Sequence, residues 1–178
     1  MDLTYISVDV ETAGPSPAEY PLLAIGACGV ADPTQTFYVE LQPDREGVDE
    51  GALRVSELSL ERLQHHGAPA SVAMHRFTEW VDATARGSRP VFVALNAPFD
   101  WMFVADYFHR YTGRNPFGHS ALDLKALFMG ITGVEWSHTA LADITAHLGL
   151  DATLPHHALE DAVIQAAVFR RLLEEAGR

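Results

Sequence analysis

Cysteine is nearly absent from the sequence, since Cys28 is the only one among 178 residues. A single cysteine excludes an intrachain disulfide and a zinc site built from cysteine ligands. Cys28 lies in the apolar run AIGACGV, where a lone cysteine is more often a buried packing residue than a nucleophile. We therefore expect any chemistry of this chain to depend on other polar side chains.

Long apolar runs are also absent, because no stretch approaches the ~18 uninterrupted apolar residues that indicate a membrane-spanning helix. The first strand-like run follows Met1 and Asp2 directly, without the basic segment that begins a signal peptide. Hydrophobic residues make up 48% of the chain and charged residues 20%, which allows a chain of this length to bury one core. These features predict a single globular domain over residues 1–178, located in the cytoplasm.

Basic residues are few. Lys125 is the only lysine, and together with eleven arginines it faces 24 acidic residues, which gives a formal net charge of -12. Proteins that bind a nucleic acid along its length normally present a basic surface and release counterions from the polymer. The charge therefore argues against extended contact with a phosphate backbone.

The N-terminal third of the sequence has the pattern of a strand meander. Residues 3 to 10 alternate between apolar and polar side chains, which predicts a strand that carries Asp9 and Glu11 on one face. Apolar runs at about 21 to 30 and 36 to 42 predict two further strands.

The rest of the chain alternates between helical and strand patterns, after a polar connection over about 43 to 55. A buried strand is predicted at 91 to 95, and a short strand at 121 to 123 leads into a helix that ends near residue 129. Further helical patterns lie at about 56 to 65, 70 to 86, 98 to 112, 138 to 148 and 157 to 176. Three strands followed by alternating helices and strands predict an α/β fold with a mixed sheet flanked by helices.

Four carboxylates stand near predicted strand ends and helix starts. Asp9 and Glu11 share a face of the first strand, Asp100 opens the helix after the buried strand, and Asp161 lies in the first turn of the last helix. Taken singly, such acids are usually solvated or cap a helix. Taken together, they supply the oxygen ligands that Mg2+ and Mn2+ prefer, and two such ions about 4 Å apart promote phosphodiester cleavage. Their convergence would predict a two-metal nuclease.

A histidine close to such a site could act as general base, because its pKa lies near neutral pH. His157 lies four residues before Asp161 and shares its face if both are helical. His156 would sit on the loop ahead of the helix, which Pro155 permits. Spacing alone leaves both histidines open.

Three segments carry a resemblance to a known family. DVETAG at 9–14, NAPFD at 96–100 and HHALED at 156–161 resemble, in order and separation, the three exonuclease motifs of the DEDD superfamily, histidine branch. That branch (DEDDh) includes the proofreading epsilon subunit of bacterial DNA polymerase III, oligoribonuclease and ribonuclease T. The resemblance extends from residue 4 to about residue 170 and implies a ribonuclease H-like fold, with a mixed five-stranded sheet and helices on both faces. It also implies a 3'-5' exonuclease, a phosphodiester hydrolase that releases nucleoside monophosphates.

The resemblance also implies a role for each matching residue. Its third motif has the form His-x-Ala-x-x-Asp, which selects His156 as the general base. Two Mg2+ or Mn2+ ions would be held by the four acids, Asp9, Glu11, Asp100 and Asp161. The terminal nucleotide would be contacted by residues within or just after the first and second motifs, namely Thr12, Ala13, Gly14, Asn96, Trp101 and Phe103. For the two aromatic residues, packing in the core is the alternative to stacking on a base.

The substrate expected from the resemblance is a single-stranded or 3'-ended DNA or RNA, bound by a homodimer as in ribonuclease T and oligoribonuclease. The net negative charge is compatible with a nucleic-acid substrate, because two divalent cations would mask the four acids. An enzyme that binds only the terminal nucleotide also needs few contacts to phosphate groups. Two alternatives stay open: a hydrolase of very short oligonucleotides, and a catalytically silent nucleic-acid-binding module on the same fold. No residue in the sequence is recognisable as a contact to the 2'-hydroxyl that distinguishes RNA from DNA.

Overall fold

A mixed five-stranded sheet forms the centre of the molecule in the computed structural model, which describes residues 2–177. The strands are β1 (Leu3–Thr12), β2 (Leu22–Gly29), β3 (Thr36–Glu40), β4 (Arg89–Ala94) and β5 (Ala121–Asp123). Their spatial order is β3-β2-β1-β4-β5, with β2 antiparallel to both of its neighbours and β1, β4 and β5 parallel to one another. The mixed five-stranded sheet expected from the sequence is confirmed.

Helices cover both faces of this sheet. They are α1 (Glu50–Ser56), α2 (Leu60–His66), α3 (Ala70–Ala85), α4 (Ala97–Thr112), α5 (Leu124–Thr132), α6 (Leu141–Leu148) and α7 (Ala158–Glu175). α3 and α4 pack on one face, while α5, α6 and α7 pack on the other. Within residues 2–177, no helix has both the length and the apolar character needed to cross a lipid bilayer.

β1 lies in the middle of the sheet, and its side chains alternate between two cores. Ile6, Val8 and Val10 are buried in the core that includes residues of α3 and α4. Tyr5 points to the other face, where its ring meets that of Phe169 in α7 edge-on, with the ring centroids 5.1 Å apart. The acidic positions of β1 therefore lie on the α7 face, as the alternation predicted.

The segment before α3 differs from the sequence-based prediction. Instead of a polar connection followed by one helix over 56 to 65, the chain forms two short helices. Asp49 begins α1 by accepting a hydrogen bond from the backbone N–H of Ala52 at 2.9 Å, and Ser59 begins α2 in the same way. Between them, Glu57 adopts a left-handed conformation with φ of 54°, which ends α1. Apolar periodicity does not detect α1, because Ser56 is its only buried residue.

Candidate active site

Asp9 and Glu11 project from β1 above the smallest residues of β2. Asp9 pairs with Gly26 across the antiparallel ladder, and Glu11 pairs with Ala24. The first turn of α7 lies directly over Gly26, where an added Cβ would be 2.1 Å from the carbonyl carbon of Ala158. The missing side chain at Gly26 therefore lets α7 approach the sheet beside the two acids.

This close approach brings Asp161 to the acids of β1. Asp161 lies in the first turn of α7 and is 2% exposed. Carboxylate oxygens of Asp9, Glu11 and Asp161 all lie within 4.8 Å of one another. Two motifs that are about 150 residues apart in the sequence thus meet on one side of the sheet.

Asp100 reaches the same place from the opposite side of β1. β4 ends at Ala94, Asn96 turns the chain in a left-handed conformation with φ of 60°, and α4 begins with Asp100 in its first turn. The pairing of β1 with β4 stops at Ser7, so the backbone N–H of Val10 is left without a partner strand on that side. Asp100 accepts a hydrogen bond from this N–H through Oδ1 at 3.1 Å, which fixes the acid next to the segment that carries Asp9.

The four carboxylates disfavour each other's ionised form. Burial raises the pKa of Asp9 well above its usual value, and the charges of the neighbouring acids raise it further. Burial, followed by the charges of Asp161 and Asp100, raises the pKa of Glu11 to about 8, and burial raises that of Asp100 to about 8. Burial also raises the pKa of Asp161 to about 6, against an opposing effect of His156. Near neutral pH the cluster therefore needs either protons or cations.

The donor set fits hard divalent cations. Its ligand atoms are carboxylate oxygens, which Mg2+ and Mn2+ prefer. Oδ1 of Asp161 is buried and has no hydrogen-bond partner among residues 2–177. Buried polar atoms are normally paired, so an unpaired carboxylate oxygen beside two other acids is consistent with a ligand position.

Gln165 is part of this site but was not predicted from the sequence. It lies in α7 one turn after Asp161 and is 1% exposed. Its side-chain amide donates a hydrogen bond to Oδ1 of Asp9 at 2.7 Å, and its carbonyl oxygen accepts one from the backbone N–H of Leu95 at 2.8 Å. The sequence signal was a polar residue on the apolar face of the last helix, four positions after a predicted ligand.

The structure separates the two candidate histidines. His156 has φ of 59° and lines the same cleft as the acids. His157 is the N-cap residue of α7, and its ring stacks on that of Tyr38 in β3 with a centroid distance of 4.7 Å. The idea that His157 is helical and shares a face with Asp161 is therefore wrong, because the helix begins at Ala158.

A cleft of about 340 Å³ opens over the acids. Its polar lining is made of the four carboxylates, His156, Asn96 and Thr12. α1, which the sequence did not predict, forms one wall with Gly51, Ala52 and Val55. A second pocket of about 250 Å³ continues from it and shares Thr12, Ala52 and Phe99. Among residues 2–177, neither lining includes a lysine or arginine.

The three predicted nucleotide contacts of the first motif have different surroundings. Thr12 lines both pockets, and Gly14 lines the second. Ala13 is fully buried, its N–H donates to the carbonyl of Pro21 at 3.0 Å, and its carbonyl accepts from the N–H of Asp49 at 2.7 Å. Ala13 thus offers neither a surface nor a free N–H to a ligand, which corrects its predicted role.

The predicted aromatic contacts belong to the core. Phe103 is fully buried and packs against Phe99 with a ring centroid distance of 5.5 Å, so it cannot stack on a nucleotide base. Trp101 meets Phe92 edge-on at 5.3 Å and does not line either pocket. Phe99 lines both pockets and is the aromatic residue of α4 that faces the cleft.

Comparisons with known proteins give a family match and two relatives. A family model described as the 3'-5' exoribonuclease Rv2179c-like domain matches residues 4–173. The Escherichia coli protein named 3'-5' DNA exonuclease Cap18 is 41% identical over 167 residues, which cover 93% of this chain and 89% of that protein. The DNA polymerase III PolC-type of Thermotoga maritima is 24% identical over 97% of this chain, but over only 12% of its own length.

Two solved structures share the fold. The nuclease domain of 3'hExo, a DEDDh family member bound to rAMP, superposes with a TM-score of 0.75 at 13% identity, over 97% of this chain and 92% of that chain. E. coli Exonuclease I in complex with a dA16 oligonucleotide superposes with a TM-score of 0.72 at 17% identity, over 97% of this chain and 41% of that chain. The chain thus spans about two fifths of Exonuclease I, and its fold is the ribonuclease H-like fold of these exonucleases.

Proposed function

We propose a mechanism and a substrate for this chain, which belongs to the 3'-5' exoribonuclease Rv2179c-like domain family and is therefore a 3'-5' exonuclease. In this proposal it hydrolyses the last phosphodiester bond at the 3' end of a single strand and releases nucleoside monophosphates. The observation that carries the proposal is the meeting of Asp9, Glu11 and Asp161 within 4.8 Å, in a cleft that also contains Asp100 and His156.

The four acids would hold two Mg2+ or Mn2+ ions. When bound, such ions activate a water molecule and stabilise the charge on the scissile phosphate and on the leaving oxygen. Carboxylate oxygens of Asp9, Glu11 and Asp161 lie within 4.8 Å of one another, which is close enough for these acids to share a cation. Asp100 is held in place by the backbone of β1.

His156 would accept the proton of the attacking water. It is exposed to solvent on the rim of the cleft, so it can pass this proton on to bulk water. It is also close enough to Asp161 to affect the pKa of that acid. His157 is unsuited to this role, because its ring is stacked on Tyr38.

The cleft would accept the terminal nucleotide rather than a long stretch of polymer. Its volume is in the range of a small-ligand pocket, and the adjoining pocket would receive the next nucleotide. Apolar side chains of Val55 and Phe99 offer a surface to the base, while Thr12 and Asn96 offer polar groups. Because no lysine or arginine of the described residues lines either pocket, binding would depend on the metal ions.

Of the candidate substrates, we propose single-stranded DNA as the preferred one. The support is the E. coli relative, which is named as a DNA exonuclease and is 41% identical over most of both chains. The family description names an exoribonuclease, which makes RNA the second candidate. A homodimer stays a prediction from the resemblance, to be measured by analytical ultracentrifugation.

The test is a time course on 5'-labelled single-stranded DNA and RNA of one sequence, with Mg2+, Mn2+ or chelator. We expect a ladder of products shortened one nucleotide at a time, faster on DNA, absent in chelator and absent for Asp9→Asn. Activity in chelator would contradict the metal mechanism, and faster shortening of RNA would reverse the order of substrates.

A dinucleotide added to the same experiment tests the first alternative. An enzyme specific for very short oligonucleotides would turn over the dinucleotide faster than the long strand. Binding of the oligomer without release of mononucleotides would instead favour a catalytically silent module.

A further inference from the structure

We propose that Gln165 is a positioning residue that holds the carboxylate of Asp9 in the orientation in which it binds metal. This inference rests on the proposed metal mechanism, and it assigns a role to a residue outside the three motifs. Gln165 does not line the cleft and would not touch the substrate.

The orientation of the Gln165 amide is fixed by its surroundings. The backbone N–H of Leu95 can only donate, so the atom that faces it at 2.8 Å is the side-chain carbonyl oxygen of Gln165. The NH2 group must then point the other way, where Oδ1 of Asp9 accepts from it at 2.7 Å. At 1% exposure, neither contact competes with solvent.

A neutral donor is suited to this position. Carboxylate oxygens of Glu11 and Asp161 lie within 4.8 Å of one of Asp9, so the repulsion between the charges favours rotation of the Asp9 carboxylate away from them. The hydrogen bond from Gln165 opposes that rotation and engages only one of the two oxygens of Asp9. Unlike lysine or arginine, an amide brings no positive charge that would compete with a metal ion.

Gln165 also links the three segments that build the site. It belongs to α7, which carries Asp161, and it bonds to Asp9 in β1. Its other bond is to Leu95, in the connection between β4 and α4 that leads to Asp100. Residues that orient metal ligands in this way typically contribute 10- to 100-fold to metal affinity.

Two substitutions separate positioning from simple packing. Gln165→Glu keeps an oxygen that can accept from Leu95 N–H but replaces the donor that faces Asp9. Gln165→Leu removes both hydrogen bonds at a similar size. Gln42→Glu is the charge control, since it adds the same charge at a glutamine whose side-chain amide donates to the backbone carbonyl of Gln64. Mn2+ binding by calorimetry and thermal unfolding in chelator are measured for all three.

We expect Gln165→Glu and Gln165→Leu to bind Mn2+ about tenfold or more weakly than the wild type, with Gln42→Glu unchanged. Mn2+ affinity that is unchanged or tighter in Gln165→Glu would overturn the positioning role, whether or not Gln165→Leu folds. Asp9→Asn distinguishes a failure of the metal site from a failure of the positioning role. If it binds Mn2+ like the wild type, the proposed metal site itself fails; if only the Gln165 variants do, the positioning role alone fails.

Discussion

At the scale of single residues, two adjacent histidines have different surroundings. His156 is exposed at the cleft, whereas the half-buried ring of His157 lies against Tyr38. The chain bends at His156, which has a positive φ, just before α7 begins. The stacked ring of His157 anchors this turn to β3, so that one histidine is held in place by its neighbour.

Substitution of each histidine tests this division. His156→Ala should lower kcat by roughly 10²-fold, as expected for the loss of a general base, while Mn2+ binding measured by calorimetry stays close to that of the wild type. His157→Phe is the control, because it keeps a ring to stack on Tyr38 but has no imidazole. A large loss of kcat in His157→Phe with little effect of His156→Ala would assign the base to His157.

Two aspartates of α4 provide a second test at this scale. Asp100 is buried among other acids, whereas Asp106 forms ion pairs with Arg45 at 3.1 Å and Arg110 at 3.0 Å. At about pH 8.5 in chelator, Asp100→Asn should raise the Tm, because it removes a buried charge that no cation balances. Asp106→Asn should lower the Tm.

Exonuclease assays with Mg2+ complete that comparison. Asp100→Asn should lose most of its activity, since a ligand charge is missing, while Asp106→Asn should retain it. If Asp100→Asn melts lower than the wild type in chelator, the acids are not in electrostatic conflict.

At the scale of secondary-structure elements, the site depends on how closely α7 approaches the sheet. The backbone of Ala158 and Leu159 occupies the space that a side chain at Gly26 would fill. Asp161 follows within the same helical turn. The distance between α7 and β2 therefore sets the distance between Asp161 and the acids of β1.

Gly26→Ala should push the first turn of α7 away from β2, because its Cβ would lie about 2.1 Å from backbone. We expect a lower Tm and weaker Mn2+ binding, measured by calorimetry. Gly130→Ala in α5 is the matched control: its Cβ has no neighbour within 4 Å, so it should stabilise the fold by about 0.5–1 kcal/mol without changing Mn2+ binding. Unchanged Mn2+ affinity in Gly26→Ala would show that the site does not need this close approach.

Much of this arrangement was predictable from local patterns, and the rest was not. Alternation along β1 placed Asp9 and Glu11 on one face, because side chains of a strand alternate regardless of what packs on them. The burial of Ala13 and Phe103 and the contacts of Gln165 depend on residues far away in the sequence, which no local pattern encodes. α1 was missed because caps rather than apolar periodicity define it.

At the scale of the whole molecule, the formal net charge is -12. Several of the arginines nevertheless form ion pairs with acidic side chains. Arg45 pairs with Asp44 and Asp106, and Arg62 pairs with Glu40 at 2.6 Å. These pairs lie outside the two pockets, whose described linings contain only acidic charges apart from His156. The part of the chain that the structure describes therefore gives these pockets no basic lining, and divalent cations would have to supply the positive charge.

The raised pKa values of the buried acids predict how the stability of the metal-free protein depends on pH. Glu11 and Asp100 have pKa values of about 8 in the folded protein, against ordinary values of 4.5 and 3.8. Between about pH 4 and pH 8 the folded state therefore binds more protons than the unfolded state, so stability must fall as pH rises through this window. Glu40, whose pKa is lowered, acts in the opposite direction, but only below its ordinary value of 4.5.

In chelator, the Tm measured by calorimetry should accordingly decrease from about pH 5.5 to about pH 8.5. Saturating Mn2+ should raise the Tm most at the higher pH, because a ligand that binds only the folded state stabilises it and because fewer protons then compete for the carboxylates. Asp100→Asn should show a shallower decrease in chelator, since one of the titrating groups is gone. A Tm that rises with pH in chelator would mean that the acids are not held together in the folded protein, and the proposed metal site would lose its electrostatic basis.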